Sequence, residues 1–194
     1  PKAWSISPDG VWVYYVGMQG NGDYEIHKTR VDGSTNSSTT LIKAAISNNS
    51  LGANSPGVYL EVSPNGQRLI YMGPYSNGSS APASIVIMNP DGSNINQVYT
   101  NSTYSEYAFV YPQYSPDGTG MVVEFNPTSG GTLTTSGINL YLNLTNRTST
   151  QLSGTGQYVW SRFNSDGTKI FTQRWNSGDA TFALYVQTPA GVVS

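Results

Sequence analysis

The chain has no cysteine, a single histidine and few charges of either sign. Only 10% of its 194 residues are charged, where ordinary soluble domains carry about 25%. Without cysteine there is no disulfide framework, thiolate zinc site, iron–sulfur cluster or covalently attached haem. One imidazole is too few for a His-rich metal site. Nine Lys+Arg against 11 Asp+Glu, with a pI near 5.2, exclude an electrostatic nucleic-acid surface. The longest apolar run, Val11–Val16, falls far short of the ~20 residues of a membrane-spanning helix. No metal or cofactor is therefore expected.

Neutral polar chemistry replaces the charge: 25 Ser, 19 Thr and 17 Asn, beside 21 Gly and 14 Tyr. Few lysines among many Ser, Thr, Asn and Tyr is the composition of an exported protein. The chain begins Pro1-Lys2-Ala3, with neither Met nor a basic–apolar leader, as expected of a processed or truncated product. Asn36, Asn48, Asn77, Asn101, Asn143 and Asn146 stand in N-x-Ser/Thr sequons, which accept glycans in a secretory context. An extracytoplasmic location is expected: secreted, cell-surface or periplasmic.

An internal repeat organises the sequence. Ser7-Pro8-Asp9-Gly10 recurs as Ser63-Pro64-Asn65-Gly66, Ser115-Pro116-Asp117-Gly118 and, more loosely, Asn164-Ser165-Asp166-Gly167. Asp-Gly and Asn-Gly favour tight hairpin turns because both residues tolerate positive φ. The residue before each copy is apolar (Ile6, Val62, Tyr114, Phe163), and the one before that is polar (Ser5, Glu61, Gln113, Arg162). This alternation is that of a strand entering a turn. Past each Gly come the apolar pairs Val13-Tyr14, Leu69-Ile70, Met121-Val122 and Ile170-Phe171, which read as buried inner strands. Third strands are expected at Tyr24–Thr29, Ser84–Asn89, Ile138–Asn143 and Phe182–Thr188, and short fourth strands at Thr39–Lys43, Asn96–Thr100 and Ser149–Leu152. Thr40–Ser47 is the best helical candidate, and it is short. The stretches Ala44–Gly57, Gly73–Ala83 and Asn126–Gly137 read as loops.

Four strands per ~50-residue unit, joined by tight turns, are the signature of propeller blades. Tyr111-Pro112-Gln113-Tyr114-Ser115-Pro116-Asp117-Gly118 and Ile85-Val86-Ile87-Met88-Asn89-Pro90-Asp91-Gly92-Ser93 resemble the TolB-like, WD-repeat-like β-propeller family. The resemblance implies an all-β fold: one propeller domain of four-stranded antiparallel blades over 1–194. Its units fall at approximately 1–46, 57–100, 107–153 and 156–194, the last incomplete. Either four blades close on themselves or they form an arc of a larger propeller. An open arc would expose apolar blade faces and strand edges, which calls for a partner.

The carboxylates offer little chemistry. Asp9, Asp32, Asp91, Asp117 and Asp166 all precede Gly and read as turn formers, leaving Asp23, Asp179, Glu25, Glu61, Glu106 and Glu124. A glycosidase needs two carboxyls facing across roughly 5–9.5 Å, but the repeat counterparts of Glu61 are Ser5, Gln113 and Arg162. A Glu61–Arg162 pair would be structural. Asn21-Gly22-Asp23-Tyr24-Glu25, with Asp32 following, is reminiscent of a calcium loop, yet Ile26 replaces its obligatory Gly; a polar hairpin loop is the better reading. His27 alternates with Ile26 as a blade-edge side chain, and no G-x-S-x-G nucleophile elbow occurs. Among the aromatics, Tyr14, Tyr71, Tyr141 and Tyr185 fall in strands and read as packing. Tyr75, Tyr104, Tyr107 and Trp175 sit in or near loops and are the candidate interaction surface.

These observations favour a non-catalytic extracellular or cell-surface propeller for protein interaction or assembly, as in a surface layer or filament. The alternatives are a polysaccharide-binding or polysaccharide-degrading propeller and a periplasmic TolB-like component of an envelope complex. The expected partner is a protein or a second copy of the chain, with carbohydrate the alternative. No nucleic acid and no membrane span are expected.

Overall fold

The computed structural model describes residues 3–18, 24–34, 39–46, 59–74, 83–101, 106–129, 132–133, 137–176 and 181–190. Its contacts divide the chain into two compact units, Pro1–Ser105 and Glu106–Ser194. The first unit holds two antiparallel four-stranded blades. Blade 1 is β1 (Trp4–Ile6), β2 (Trp12–Met18), β3 (Tyr24–Arg30) and β4 (Thr39–Ile46), hydrogen-bonded in that order. Blade 2 repeats the order with β5 (Tyr59–Val62), β6 (Leu69–Pro74), β7 (Ala83–Met88) and β8 (Asn96–Asn101).

The second unit departs from the expected spacing. Blade 3 is built on β9 (Glu106–Tyr114), β10 (Gly120–Ser129) and β12 (Gly137–Asn143), with the short β11 (Thr132–Leu133) on β10. Its outer strand, β13 (Thr148–Phe163), then runs on to become the inner strand of blade 4, beside β14 (Ile170–Asn176) and β15 (Thr181–Gln187). No Pro and no Asp-Gly interrupts Thr148–Phe163, so nothing in it forces a turn between the blades. The register shifts between Gln157 and Trp160 instead. The expected loop Asn126–Gly137 is likewise largely strand, since β10 extends to Ser129 and β11 follows. Thr39–Ile46, which overlaps the helical candidate, is strand β4.

The repeated turn is closed four times by one set of bonds. At Ser7 the backbone N–H of Gly10 donates to the Ser7 carbonyl at 2.8 Å, and the N–H of Trp12 donates to Ser7 Oγ at 2.9 Å. Asp9 Oδ1 accepts the Val11 N–H at 3.0 Å. Ser63, with Asn65 in place of Asp, does the same for Arg68 N–H (2.9 Å) and Gln67 N–H (3.1 Å). Ser115 and Asp117 take Gly120 N–H (2.7 Å) and Thr119 N–H (3.0 Å). In the divergent fourth copy Asn164 Oδ1 replaces the serine hydroxyl, accepting Lys169 N–H at 2.9 Å. The glycines that end these turns have φ of 71°, 70°, 68° and 75°, left-handed values that carry a penalty for any residue with a Cβ.

Packing between blades supplies the core of each unit. In the first, Tyr14, Val16 and Ile26 of blade 1 pack with Leu60, Val62, Leu69, Tyr71, Val86 and Met88 of blade 2. Ser5 Oγ accepts the Val62 N–H at 3.1 Å across this junction. In the second, Val122 and Tyr141 of blade 3 meet Leu152, Phe163 and Ile170. Tyr71 folds over Gly73, whose missing Cβ leaves room for the ring; a methyl there would lie 2.8 Å from Tyr71 Cζ.

The turn carboxylates are held ionised. The Ser7 hydroxyl lowers the pKa of Asp9, Ser115 that of Asp117, Ser93 that of Asp91 and Thr168 that of Asp166. Arg30, 2.9 Å from Asp32 Oδ2, acts likewise on Asp32. A depressed native pKa means the stabilisation is complete above the unfolded value of ~3.9 and is lost as pH falls through the native value.

The turns, the core and the carboxylates each yield a prediction. In urea denaturation, Gly10→Ala should cost about 1 kcal/mol through φ alone, because nothing lies within 4 Å of the added methyl; Gly10→Asn should cost less. Gly73→Ala should cost about 1–3 kcal/mol by displacing the buried Tyr71 ring. Unfolding measured from pH 6 down to 2 should show stability falling below about pH 4. Asp117→Asn and Asp166→Asn should flatten that fall while keeping the Oδ1 acceptor, as Asn65 does in the second turn.

Candidate functional site

The repeat allows each position to be compared across blades. Four residues past the turn glycine stand Tyr14, Ile70, Val122 and Phe171. The first three are 2%, 0% and 0% exposed, whereas Phe171 is 38% exposed. On the incoming strand, Leu60 and Val62 of blade 2 are 3% and 5% exposed, while their blade 1 counterparts Trp4 and Ile6 are 63% and 47% exposed. Blade 1 therefore presents an uncovered leading face and blade 4 an uncovered trailing face, both made of side chains whose counterparts in blade 2 are buried.

Strand register defines the trailing face. Arg162 lies opposite Phe171, Gln173 opposite Leu184 and Trp175 opposite Phe182, so all six share one side of the sheet. Phe182 and Leu184 are 53% and 67% exposed. The Trp175 and Phe182 rings meet at 4.7 Å between centroids. A cavity of about 470 Å³ opens beside them, lined by Gln113, Arg162, Phe171, Gln173 and Leu184 among others. Gln113 Oε1 is buried, with no hydrogen-bond partner among the described residues.

The leading face is set by Trp4 opposite Tyr15 and Tyr15 opposite His27. Tyr15 and His27 stack at 5.2 Å with 17° between their planes, and His27 Nε2 lies 3.4 Å from the buried Glu25 Oε2. The stack passes close over Gly17, where a Cβ would come 3.2 Å from His27 Cδ2. Blade 4 is fastened to blade 3 on its other side by buried polar groups. Asn139 Nδ2 donates to Ser161 Oγ (2.7 Å), Ser161 and Thr172 share a hydroxyl bond (2.9 Å), and Gln187 Nε2 donates to Thr172 Oγ1 (3.3 Å).

The residues singled out from the sequence scatter. Trp175 lies on the trailing face, but within β14 and not in a loop. Tyr107 lies within β9, opposite Pro127, so the loop expected there is strand. Tyr75, Tyr104, Asn36, Asn48 and Asn77 lie outside the described residues. Asn101 ends β8. Asn143 Oδ1 accepts the N–H groups of Thr145 and Asn146, and Asn146 is exposed in the same turn. Asn21–Asp23 lie outside the described residues, Glu25 is in β3, and Asp32 pairs with Arg30. Among the described residues no group of three or more His, Asp or Glu could hold a metal, and no helix is long and apolar enough to cross a membrane. Glu61 sits half-buried on β5, where desolvation raises its pKa. Phe171, Phe182 and Leu184 were not distinguishable from core residues in the sequence, since Phe171 stands at the repeat position of the buried Tyr14, Ile70 and Val122.

No family model matches the chain, and no curated protein matches it by sequence. Solved structures do. TolB from Acinetobacter baumannii superposes with a TM-score of 0.51 at 19% identity, over 99% of this chain and 42% of its own. The β-propeller domain of the Trilobed protease from Pyrococcus furiosus, described as having an open velcro topology, gives 0.58 at 13%, over 98% and 54%. An oligogalacturonate lyase in complex with manganese gives 0.56 at 13%, over 98% and 51%. The chain thus spans about half the length of each of these three structures. The sequence-based exclusion of catalysis is corrected by this set, since the fold is shared with a lyase and with a domain of a protease. The likeness runs through almost the whole chain and gives its architecture: antiparallel blades of a β-propeller, the fold it shares with TolB.

Proposed function

We propose that this chain is a propeller module that works outside the cytoplasm through protein–protein contacts made by its uncovered blade faces. The observation that carries this is the trailing face, where Phe182 and Leu184 are 53% and 67% exposed beside Phe171 and Trp175. Burying one such side chain is worth roughly 1.5–3 kcal/mol, and clustered aromatic anchors of this kind dominate protein interfaces. The sparse charge, the exposed Asn146 sequon and the resemblance to TolB-like proteins support an extracytoplasmic setting.

Carbohydrate is the second reading. The cavity favours it, since Arg162, Gln113 and Gln173 offer hydrogen-bonding groups beside the Phe171 ring. A glycan array probed with the chain and with Trp175→Ala separates the two: specific binding lost in the variant would replace the protein reading.

Photo-crosslinking in producing cells tests the protein reading directly. A photoreactive residue at Leu184 should give a discrete protein adduct in the extracytoplasmic fraction, and one at the exposed turn residue Thr168 should not. Equal labelling at both positions, or none at either, would overturn it.

A further inference from the structure

We propose that Asn65 is a deamidation site gated by the turn it sits in: the reaction runs when the inner turn of blade 2 opens, and the turn recloses on aspartate. Of the four copies of the turn, this is the one with Asn-Gly, where the others carry Asp-Gly. A glycine in second place has no Cβ to keep its nitrogen away from the preceding side chain. The deprotonated Gly66 nitrogen attacks Asn65 Cγ; a C–N bond forms, the Cγ–Nδ2 bond breaks and ammonia leaves. Water then opens the cyclic imide at one carbonyl or the other. The product is aspartate or, with the main chain rerouted through Cγ, isoaspartate.

The closed turn blocks the first step at both reacting groups. The Gly66 N–H donates to the Ser63 carbonyl at 2.8 Å. Asn65 Oδ1 accepts the Ser63 hydroxyl at 2.8 Å and the Gln67 N–H at 3.1 Å, which fixes the amide plane. The Ser63 oxygen itself accepts the Arg68 N–H at 2.9 Å. Attack has to release these bonds together, and Ser63 is fully buried, so its groups would lose partners that water does not replace. Asn65 is exposed, so water reaches the imide once it has formed. The fold also distinguishes the two products. Asp9 and Asp117 hold the same place in their turns, and each accepts the matching N–H, of Val11 and of Thr119, at 3.0 Å. Aspartate at 65 inherits that set of bonds and adds a negative charge to a chain of net charge −2. Isoaspartate lengthens the main chain inside the turn and so misplaces the N–H that closes it.

The test compares the native chain with the chain unfolded in urea, incubated side by side at mildly alkaline pH. Peptide mass mapping follows the change from amide to acid, with fragmentation to separate Asn65 from Asn21 and Asn77, the other asparagines that precede glycine. Asn65 should convert at least about tenfold more slowly in the native chain, the factor set by an opening free energy of about 1.4 kcal/mol. Ser63→Ala removes the hydroxyl that bonds Asn65 Oδ1 and should bring the native rate toward the unfolded one. Should that variant fail to fold, Pro64→Gly loosens the same turn at an exposed residue. Gly167→Ala, which strains a turn of the other unit, should leave the rate unchanged. Asn65→Asp should unfold in urea at the wild-type midpoint at neutral pH. Four results would overturn the proposal: equal rates in native and unfolded chains, no acceleration in the loosened-turn variant, equal acceleration by Gly167→Ala, or a clearly lowered midpoint for Asn65→Asp.

Discussion

A β-blade is apolar on both faces, and a single sheet cannot cover both of them. Ile70, Met72, Ile85 and Ile87 share one side of blade 2, while Leu69, Tyr71, Val86 and Met88 share the other; all eight are fully buried. Stacking is therefore the condition for the fold, and each blade is stable only as the neighbour of another. The two uncovered faces are the same condition left unmet at two places. Their side chains are no different in kind from the core; they lack only the next sheet.

What lets such sheets stack in register is the turn. Each copy fixes the inner hairpin through a side-chain oxygen that accepts the backbone N–H five residues on, and through a glycine that takes the left-handed conformation. The turns also touch one another along a unit. Pro8 lies over Gly66, and Pro116 approaches the position of a Gly167 Cβ to 3.3 Å. The proline that presets the bend in one blade thus packs on the glycine that ends the bend in the next. One four-residue pattern serves both the hairpin and the spacing between blades.

This local chemistry explains what could be read in advance. The turns, the inner strands and the third strands were legible because Ser-Pro-Asp-Gly and its flanking alternation specify short-range bonds. Even the weak fourth copy was recognisable, since Asn164 offers the same acceptor as serine. The continuous strand Thr148–Phe163 was not legible, because its Ser, Thr and Gly residues suit a strand and a loop equally. The interaction surface was hardest. Phe171 occupies the same position as the buried Tyr14 and Val122, so residue type alone could not separate a covered face from an open one. Trp175 was picked out as a loop aromatic, whereas its standing comes from a place in β14 beside Phe182.

The two sides of blade 4 divide the work between specificity and adhesion. Toward blade 3 it presents Ser161, Thr172 and Gln187, and these accept or donate bonds that reach Asn139. Buried polar groups tolerate few alternative partners, because any misfit leaves a desolvated donor or acceptor. That side accordingly fits one neighbour in one register. The opposite side is aromatic and aliphatic, with Arg162 at its edge, and apolar contact is non-directional. Covering it would be favourable but weakly selective, so shape and Arg162 would have to supply the discrimination. The turn that feeds this face is also the one whose serine has become asparagine. Since Asn164 Oδ1 still holds Lys169 N–H at 2.9 Å, the hairpin under the open face is closed as firmly as those inside the stack. A face whose hairpin is already closed in this way has less to order when something covers it, which lowers the cost of association.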